Sequence, residues 1–346
     1  MTNKKKTIKD IAKLAGVSKG TVDRVLHKRG KVSKIAQEKV EKILKEIEYR
    51  PNPIARSLKE NKAYRISILI PDSEIDIYWQ PAHEGVKVAE KEFGPFGIEV
   101  KIFIYNPSKK EDFYQKSIEA INVSPDLLLM TPLFEKESFQ ISQTCKENDI
   151  RVGLFNNHLS TNKTQIFIGQ DLVQSGKIAA DLIDKTVAPQ SEIGIIHIDK
   201  EPHLLLKEQG FKNYFDNKKS SHRILKAKNF NSDNQSKFKQ EIELYFHDNP
   251  NIGALFITNS KAYKIAEIVS KLMKPCSLVG YDLVPKNVSF LKEGKIDFLI
   301  HQRPKEQAYL SISHFAEFFL FGKKVPLQNL LPIDIVTSEN VDYYIN

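Results

Sequence analysis

The sequence predicts two kinds of fold on one chain: an all-α helical module at the amino end, then a two-lobed α/β body built on parallel sheets. Three observations carry this. Residues 1–62 hold 18 Lys and Arg against 7 Asp and Glu while the remaining 284 hold 34 against 36, so the net charge of +9 resolves into a cationic segment and a nearly neutral body. Apolar residues recur at helical spacing through the cationic segment, and after Arg65 short apolar runs alternate with helical stretches. A length of 346 residues suits two or three domains with a large core.

In the cationic segment Thr7 is placed to cap a first helix, Asp10 completes a capping box, and Ile8, Ile11, Ala12 and Ala15 share one face. Ala15-Gly16-Val17 makes a tight turn, and Ser18 caps a second helix that buries Val22, Val25 and Leu26. A basic loop, His27-Lys28-Arg29-Gly30-Lys31, leads to a third helix from about Ser33 to Ile47, burying Val40, Ile43, Leu44 and Ile47. Pro51-Asn52-Pro53 ends it.

Beyond Arg65, strand-like runs fall at Ile66–Ile70, Val100–Tyr105, Asp126–Thr131, Val152–Phe155, Ile166–Ile168, Ile193–Ile198, Ile252–Thr258, Ser277–Tyr281 and Phe298–His301. Helical stretches fall between them at His83–Phe93, Phe113–Ile121, Ser138–Glu147, Gln174–Lys185, Leu204–Phe215, Ala262–Leu272 and Ala308–Phe321. Such alternation calls for parallel sheets covered on both faces, with units enough for two sheets.

Several classes are excluded. Cys145 and Cys276 stand alone with no CxxC, so neither a disulfide framework nor a cysteine-based zinc site is expected, and no metal or other cofactor is predicted. The lysine-rich start has no apolar stretch behind it and no apolar run reaches membrane-spanning length, so a soluble, cytoplasmic protein is expected. The phosphate-loop patterns GxGxxG and GxxxxGK[ST] and the nucleophile pattern GxSxG do not occur, which argues against an enzyme. His158, His197 and His203 read as structural groups at strand ends before they read as a catalytic set.

Two helices joined at Gly16 form a helix-turn-helix, the second helix of which lies in a DNA major groove. Its solvent face would be Lys19, Gly20, Thr21, Asp23 and Arg24, with Arg24 able to grip guanine or neutralise a phosphate and Thr21 able to donate to the backbone. A concentrated positive field of this kind suits a polyanion. The run from Thr7 to Ser18 (TIKDIAKLAGVS), followed by Thr21-Val22, Arg24-Val25-Leu26 and the stretch Tyr49 to Leu58 (YRPNPIARSL), resembles the DNA-binding domain of the lactose-repressor (LacI-type) family. The resemblance implies DNA contacts from Thr7, Ser18, Lys19, Gly20, Thr21, Arg24, His27, Lys31, Asn52, Ala55 and Leu58. It also implies a hinge helix over Pro53–Leu58 that forms on DNA, and a homodimer on a pseudo-palindromic operator. Leu58, set among Arg56, Lys59 and Lys62, is an apolar tip in a basic strip, as minor-groove wedges are. Asp23 departs from the serine common in that family; it either orients Arg24 or Lys19 or accepts from a cytosine amino group.

Residues 65–346 resemble the type I periplasmic sugar-binding fold used as a sensor. The domains then read as 1–50 (DNA-binding), 51–62 (hinge and linker) and 63–346 (sensor), one lobe taking about 63–168 and 303–330 and the other about 169–302 and 331–346. Asp282 in Gly280-Tyr281-Asp282 and Gln302 match the family's ring-hydroxyl ligands. Ligands in parallel sheets sit beyond the carboxyl ends of strands, which adds Tyr78, Trp79, Thr131, Asn156, His158 and Asn259 as effector-binding candidates. Where related sensors place an arginine before the glycine matching Gly210, this chain has Leu205, with Lys207 and His203 nearby, which leaves the effector open between a sugar and a sugar acid. The expected function is sequence-specific DNA binding, as a repressor, controlled by a small carbohydrate-like effector held between the lobes. An architectural DNA-binding protein and a helix-turn-helix fused to a sugar-modifying enzyme are the rivals.

Overall fold

The computed structural model describes residues 7–26, 30–47, 49, 63–159, 166–199, 203–218, 221–272 and 274–345. The chain divides into two units, Met1–Glu60 and Asn61–Asn346. The first holds α1 (Ile8–Ala15), α2 (Lys19–Leu26) and α3 (Lys34–Glu46). Thr7 Oγ1 accepts from the Asp10 amide at 3.3 Å while Asp10 Oδ2 accepts from the Thr7 amide at 2.8 Å, the reciprocal capping box that the sequence predicts. Gly16 ends α1 at φ 63°, a left-handed conformation glycine adopts without steric cost, and this turns the chain into α2. Ile11, Ala12, Ala15, Val22 and Val40 close a small core, against which Val25, Leu26, Ile43, Leu44 and Ile47 lie half-buried.

The second unit contains two sheets. Strands β1 (Tyr64–Pro71), β2 (Ile98–Tyr105), β3 (Leu127–Met130), β4 (Arg151–Asn156), β5 (Ile166–Gly169) and β12 (Gln328–Leu330) form an all-parallel sheet in the order β12-β5-β4-β3-β1-β2. Helices α4 (Gln80–Phe93) and α12 (Pro304–Phe321) cover one face, and α5 (Lys110–Asn122) and α6 (Glu135–Glu147) the other. The second sheet takes β6 (Glu192–Ile198), β7 (Arg223–Ile224), β8 (Lys228–Phe230), β9 (Ile252–Ile257), β10 (Ser277–Tyr281), β11 (Phe298–His301) and β13 (Asp334–Val336), ordered β13-β11-β10-β9-β6-β7, with β8 also on β6. Among the described residues only the β11–β13 pair is antiparallel. Helices α7 (Leu172–Thr186) and α8 (Leu204–Lys218) cover one face; α9 (Gln235–Asp248), α10 (Ala262–Leu272) and α11 (Pro285–Lys292) cover the other.

The sequence reading assigns no helix to α9 or α11. Phe238, Ile242, Tyr245 and Phe246 carry the i, i+4, i+7, i+8 spacing of a helix in α9, so that signal was present in the sequence; α11 buries only Asn287 and Leu291 and carries no such stripe. The apolar runs of the central strands reflect burial on both faces, extreme in β6, where all seven residues are buried.

The chain crosses between the sheets three times, after β5, after β11 and after β12. The buried Gln170 amide ties these crossings, donating to the carbonyls of His301 (3.0 Å) and Pro332 (2.5 Å). Helices α7 and α8 cross with their backbones in contact: a Cβ on Gly210 would fall 1.9 Å from the Val173 carbonyl oxygen, so only glycine fits. That close crossing fixes where Lys207 of α8 meets the sheet.

Candidate functional site

On the helical unit, Lys19, Gly20 and Arg24 of α2 are exposed, and Thr21 and Asp23 half-buried. Ser18 Oγ accepts from the Thr21 amide at 3.1 Å and lies 2.9 Å from Thr21 Oγ1, so the two hydroxyls organise the first turn of α2. Thr7 does the same for α1, and Lys31 is exposed. His27, Asn52, Ala55 and Leu58 lie outside the described residues, as does the expected hinge helix.

In the second unit a cleft of about 1290 Å³ opens between the carboxyl ends of the two sheets. Asp76, Tyr78, Trp79 and Asn156 line one wall, and Asp199, Lys207, Asn259, Asp282 and Gln302 the other. Asp76 caps a 3₁₀ turn, Ile77–Trp79, its Oδ1 accepting from the Tyr78 amide at 3.1 Å, and this turn carries Tyr78 and Trp79 into the wall with their rings edge to face at 4.8 Å. Trp79 also belongs to the apolar cluster beneath, with Val284 from the opposite wall, so it is both core and lining. Asn156, Asp199 and Asp282 each sit at the end of a strand with φ between 61° and 68°. Such conformations are uncommon outside glycine and collect at functional sites.

Electrostatics distinguish the walls. Asp282 is 2 % exposed, and burial raises its pKa to about 6 against the pull of Lys207 and of two bonds from Gln302, the amide N at 3.1 Å and Nε2 at 2.7 Å. Burial raises Asp76 likewise. At Asp199 burial is outweighed by Lys261 Nζ, 2.5 Å away, and by Ser232, so its carboxyl is held below the usual range. Lys207 is fully buried, donating to the Thr258 carbonyl at 3.1 Å with its ammonium 3.6 Å from the centre of the Tyr281 ring. Burial, then Lys207 and His197, hold His203 far below the usual histidine range, so it stands neutral. Asn259 is anchored by Nδ2 to the Ile198 carbonyl at 2.7 Å.

Six effector candidates thus meet at one cleft: Tyr78, Trp79, Asn156, Asn259, Asp282 and Gln302. Two do not. Thr131 is fully buried and outside the cleft lining, its main-chain carbonyl taken by Tyr105 Oη, and after β3 the chain reaches the lining only from Leu133 onward. His158 is exposed and lines a separate small cavity edge-on to Phe167, since Asn156 already ends β4 and the chain has left the strand end. Asp76, Asp199 and Lys261 escape the sequence reading, and His197, read there as a structural group at a strand end, lines the cleft as well. Asp199 follows β6 as Asp282 follows β10, so the strand-end signal was present for it; Asp76 and Lys261 sit in loops with no such signal. Among the described residues no group of three or more His, Cys, Asp or Glu could hold a metal ion, and no helix is long and apolar enough to cross a membrane.

Residues 66–322 match the family of the periplasmic binding protein domain, and residues 7–52 match bacterial regulatory proteins of the lacI family. The chain belongs to the periplasmic-binding-protein domain family and opens with a lacI-family regulatory domain. Over 75 residues, 21% of this chain and 22% of the relative, it is 47% identical to the sucrose operon repressor of Klebsiella pneumoniae. Over 66 residues, 19% of this chain and 20% of the relative, it is 52% identical to the ribose operon repressor of Halalkalibacterium halodurans. The match therefore spans about a fifth of these curated relatives. A solved structure from Bacteroides fragilis, assigned as a LacI transcriptional regulator, is 28% identical with a TM-score of 0.74, covering 82% of this chain and 100% of that one. The lacI-family domain supplies the exposed face of α2, and the periplasmic-binding-protein domain supplies the cleft.

Proposed function

We propose that the protein is a sequence-specific DNA-binding transcription regulator, a repressor, whose operator affinity is set by a small uncharged carbohydrate held in the cleft. The observation that carries this reading is one chain that joins a capped helix-turn-helix to a two-walled cleft in which an aromatic pair faces a buried carboxylate and a carboxamide. Arg24 and Lys19 of α2 contact base edges and phosphates, and the Thr7 and Ser18 turns present amides to the backbone. As a homodimer the protein sets two such helices in successive major grooves of a near-palindrome, with 51–62 as hinge between them.

In the cleft, Asp282 and Gln302 take ring hydroxyls while Trp79 and Tyr78 pack on the sugar's apolar face. The charge of the lining favours a neutral ligand. Seven carboxylates, four of them the N-terminal wall's Glu74, Asp76, Glu135 and Glu137, face three lysines, of which Lys261 is paired with Asp199. A sugar acid or sugar phosphate entering that field is repelled. The test is a thermal-shift screen of the full chain against neutral sugars, uronic acids and sugar phosphates, joined to selection of bound sites from random duplex DNA. Stabilisation by a neutral sugar and enrichment of a near-palindrome support the reading; stabilisation by anionic sugars alone, or no enriched site, overturns it.

A further inference from the structure

A buried hydrogen-bonded chain, made of side chains and the main-chain carbonyl of Gln302, runs from one wall of the cleft to the other. Asp282 Oδ2 accepts from Gln302 Nε2 at 2.7 Å. The Gln302 carbonyl accepts from Gln307 Nε2 at 2.5 Å, and Gln307 Oε1 accepts from Asn156 Nδ2 at 3.2 Å. Asn156 Nδ2 donates also to Tyr78 Oη at 2.5 Å, and Tyr78 meets Trp79 edge to face. Gln307 stands in the first turn of α12, just after the second crossing between the sheets, and is 1 % exposed. It does not line the cleft. Its carboxamide donates to the Asp282 wall and accepts from the Tyr78 wall, a division of labour that no apolar or charged side chain of its length reproduces. Gln302 reports the state of Asp282 because both its amide and its side chain donate to that carboxylate, and a proton on Oδ2 weakens the side-chain bond.

We propose that Gln307 is a positioning residue that holds the two cleft walls in register and passes a change at Asp282 to Tyr78 and Trp79. Buried polar networks rigidify when every member is satisfied, and here the satisfied members lie on both sides of a crossing. The use of this coupling rests on the cleft being the ligand site, but its test needs neither DNA nor sugar.

Trp79 is the chain's one tryptophan, so intrinsic emission of the full chain reads the Tyr78 wall. The charged groups acting on Asp282 are Lys207 from α8 and Asp76 from the opposite wall; His83, bonded to the Pro71 carbonyl, is on the helix that follows Trp79. The expected result is a transition in Trp79 emission on titrating from pH 8 to pH 4.5, with its midpoint at about 6. It is absent in Asp282→Asn, and absent in Gln307→Met although the pH dependence of that variant's melting temperature still differs from that of Asp282→Asn as wild type's does, which shows that Asp282 still titrates in it. Should Gln307→Met show no cooperative melt, Gln307→Asn, one methylene shorter, replaces it. A transition retained in the Gln307 variant, retained in Asp282→Asn, or missing from wild type overturns the proposal. A variant that merely melts earlier while keeping the transition shows packing alone and overturns it as well. Because no sugar or operator is present, failure here leaves the regulator reading standing, and failure of that reading leaves this result standing.

Discussion

At the scale of single residues the cleft turns on Asp282. A carboxylate with a pKa raised to about 6 by burial is costly to keep ionised, and ring hydroxyls would supply the donors that offset part of that cost. The sign follows from the raised value. Without ligand, the stability contributed by neutral Asp282 is present at low pH and is lost as pH rises through about 6, a difference on the order of 2–3 kcal/mol between pH 4 and pH 8. A ligand that donates to the carboxylate shows the opposite trend: its affinity is constant above about pH 6 and falls roughly tenfold per unit below it. Binding isotherms for the stabilising sugar at pH 5 and pH 7.5 check this, and equal affinities at both would remove Asp282 from the ligand shell.

At the scale of elements, α2 and the turn before it carry the DNA reading. Arg24 is exposed on α2, and Arg24→Ala is expected to cost ~1–3 kcal/mol on the selected site and to relax preference at one base pair. Equal losses on selected and random duplex would show a phosphate clamp only. Gly16 holds φ 63° with nothing within 4 Å of a built Cβ, so Gly16→Ala meets no clash and costs only the left-handed penalty, roughly 1–2 kcal/mol, in urea unfolding followed by helical signal. An unchanged midpoint would mean that the turn relaxes. Elements of this kind are legible in sequence because their causes are local: Thr7 with Asp10, Gly16 and Ser18 announce caps and a turn whatever surrounds them. The strands are legible for a related reason, since burial on both faces writes continuous apolar runs. The cleft is legible only in part. Asp282, Gln302, Asn156 and Asn259 follow strands, so the strand-end rule reaches them, whereas Lys207 reaches the cleft from the first turn of α8, held there by a contact between α7 and α8 that no local pattern encodes. Thr131 shows the limit of that rule: it follows a strand and still falls outside the cleft lining.

At the scale of the whole molecule the proposed function assigns a task to each side of the charge partition, polyanion binding to residues 1–62 and recognition of a neutral ligand to the rest. Each phosphate neutralised should lower log K by ~0.9 per decade of salt, so the full chain is expected to bind duplex DNA with a steep salt slope. A chain starting at Tyr64 is expected to bind none, and retention of DNA by that truncation in a gel-shift titration would contradict the division. Linking the two tasks requires a coupling free energy, which in allosteric proteins is typically ~1–3 kcal/mol, or about 5–150-fold in affinity. The most direct measurement is a titration of the selected duplex with the full chain, with and without saturating amounts of the sugar that stabilises it, for wild type and for Asp282→Ala. Operator affinity in wild type is expected to change at least about 5-fold on adding sugar, and in Asp282→Ala to match sugar-free wild type under both conditions. Identical wild-type curves with and without sugar would contradict ligand control of DNA binding, and loss of operator binding by Asp282→Ala in the absence of sugar would show that Asp282 holds the fold and not the effector.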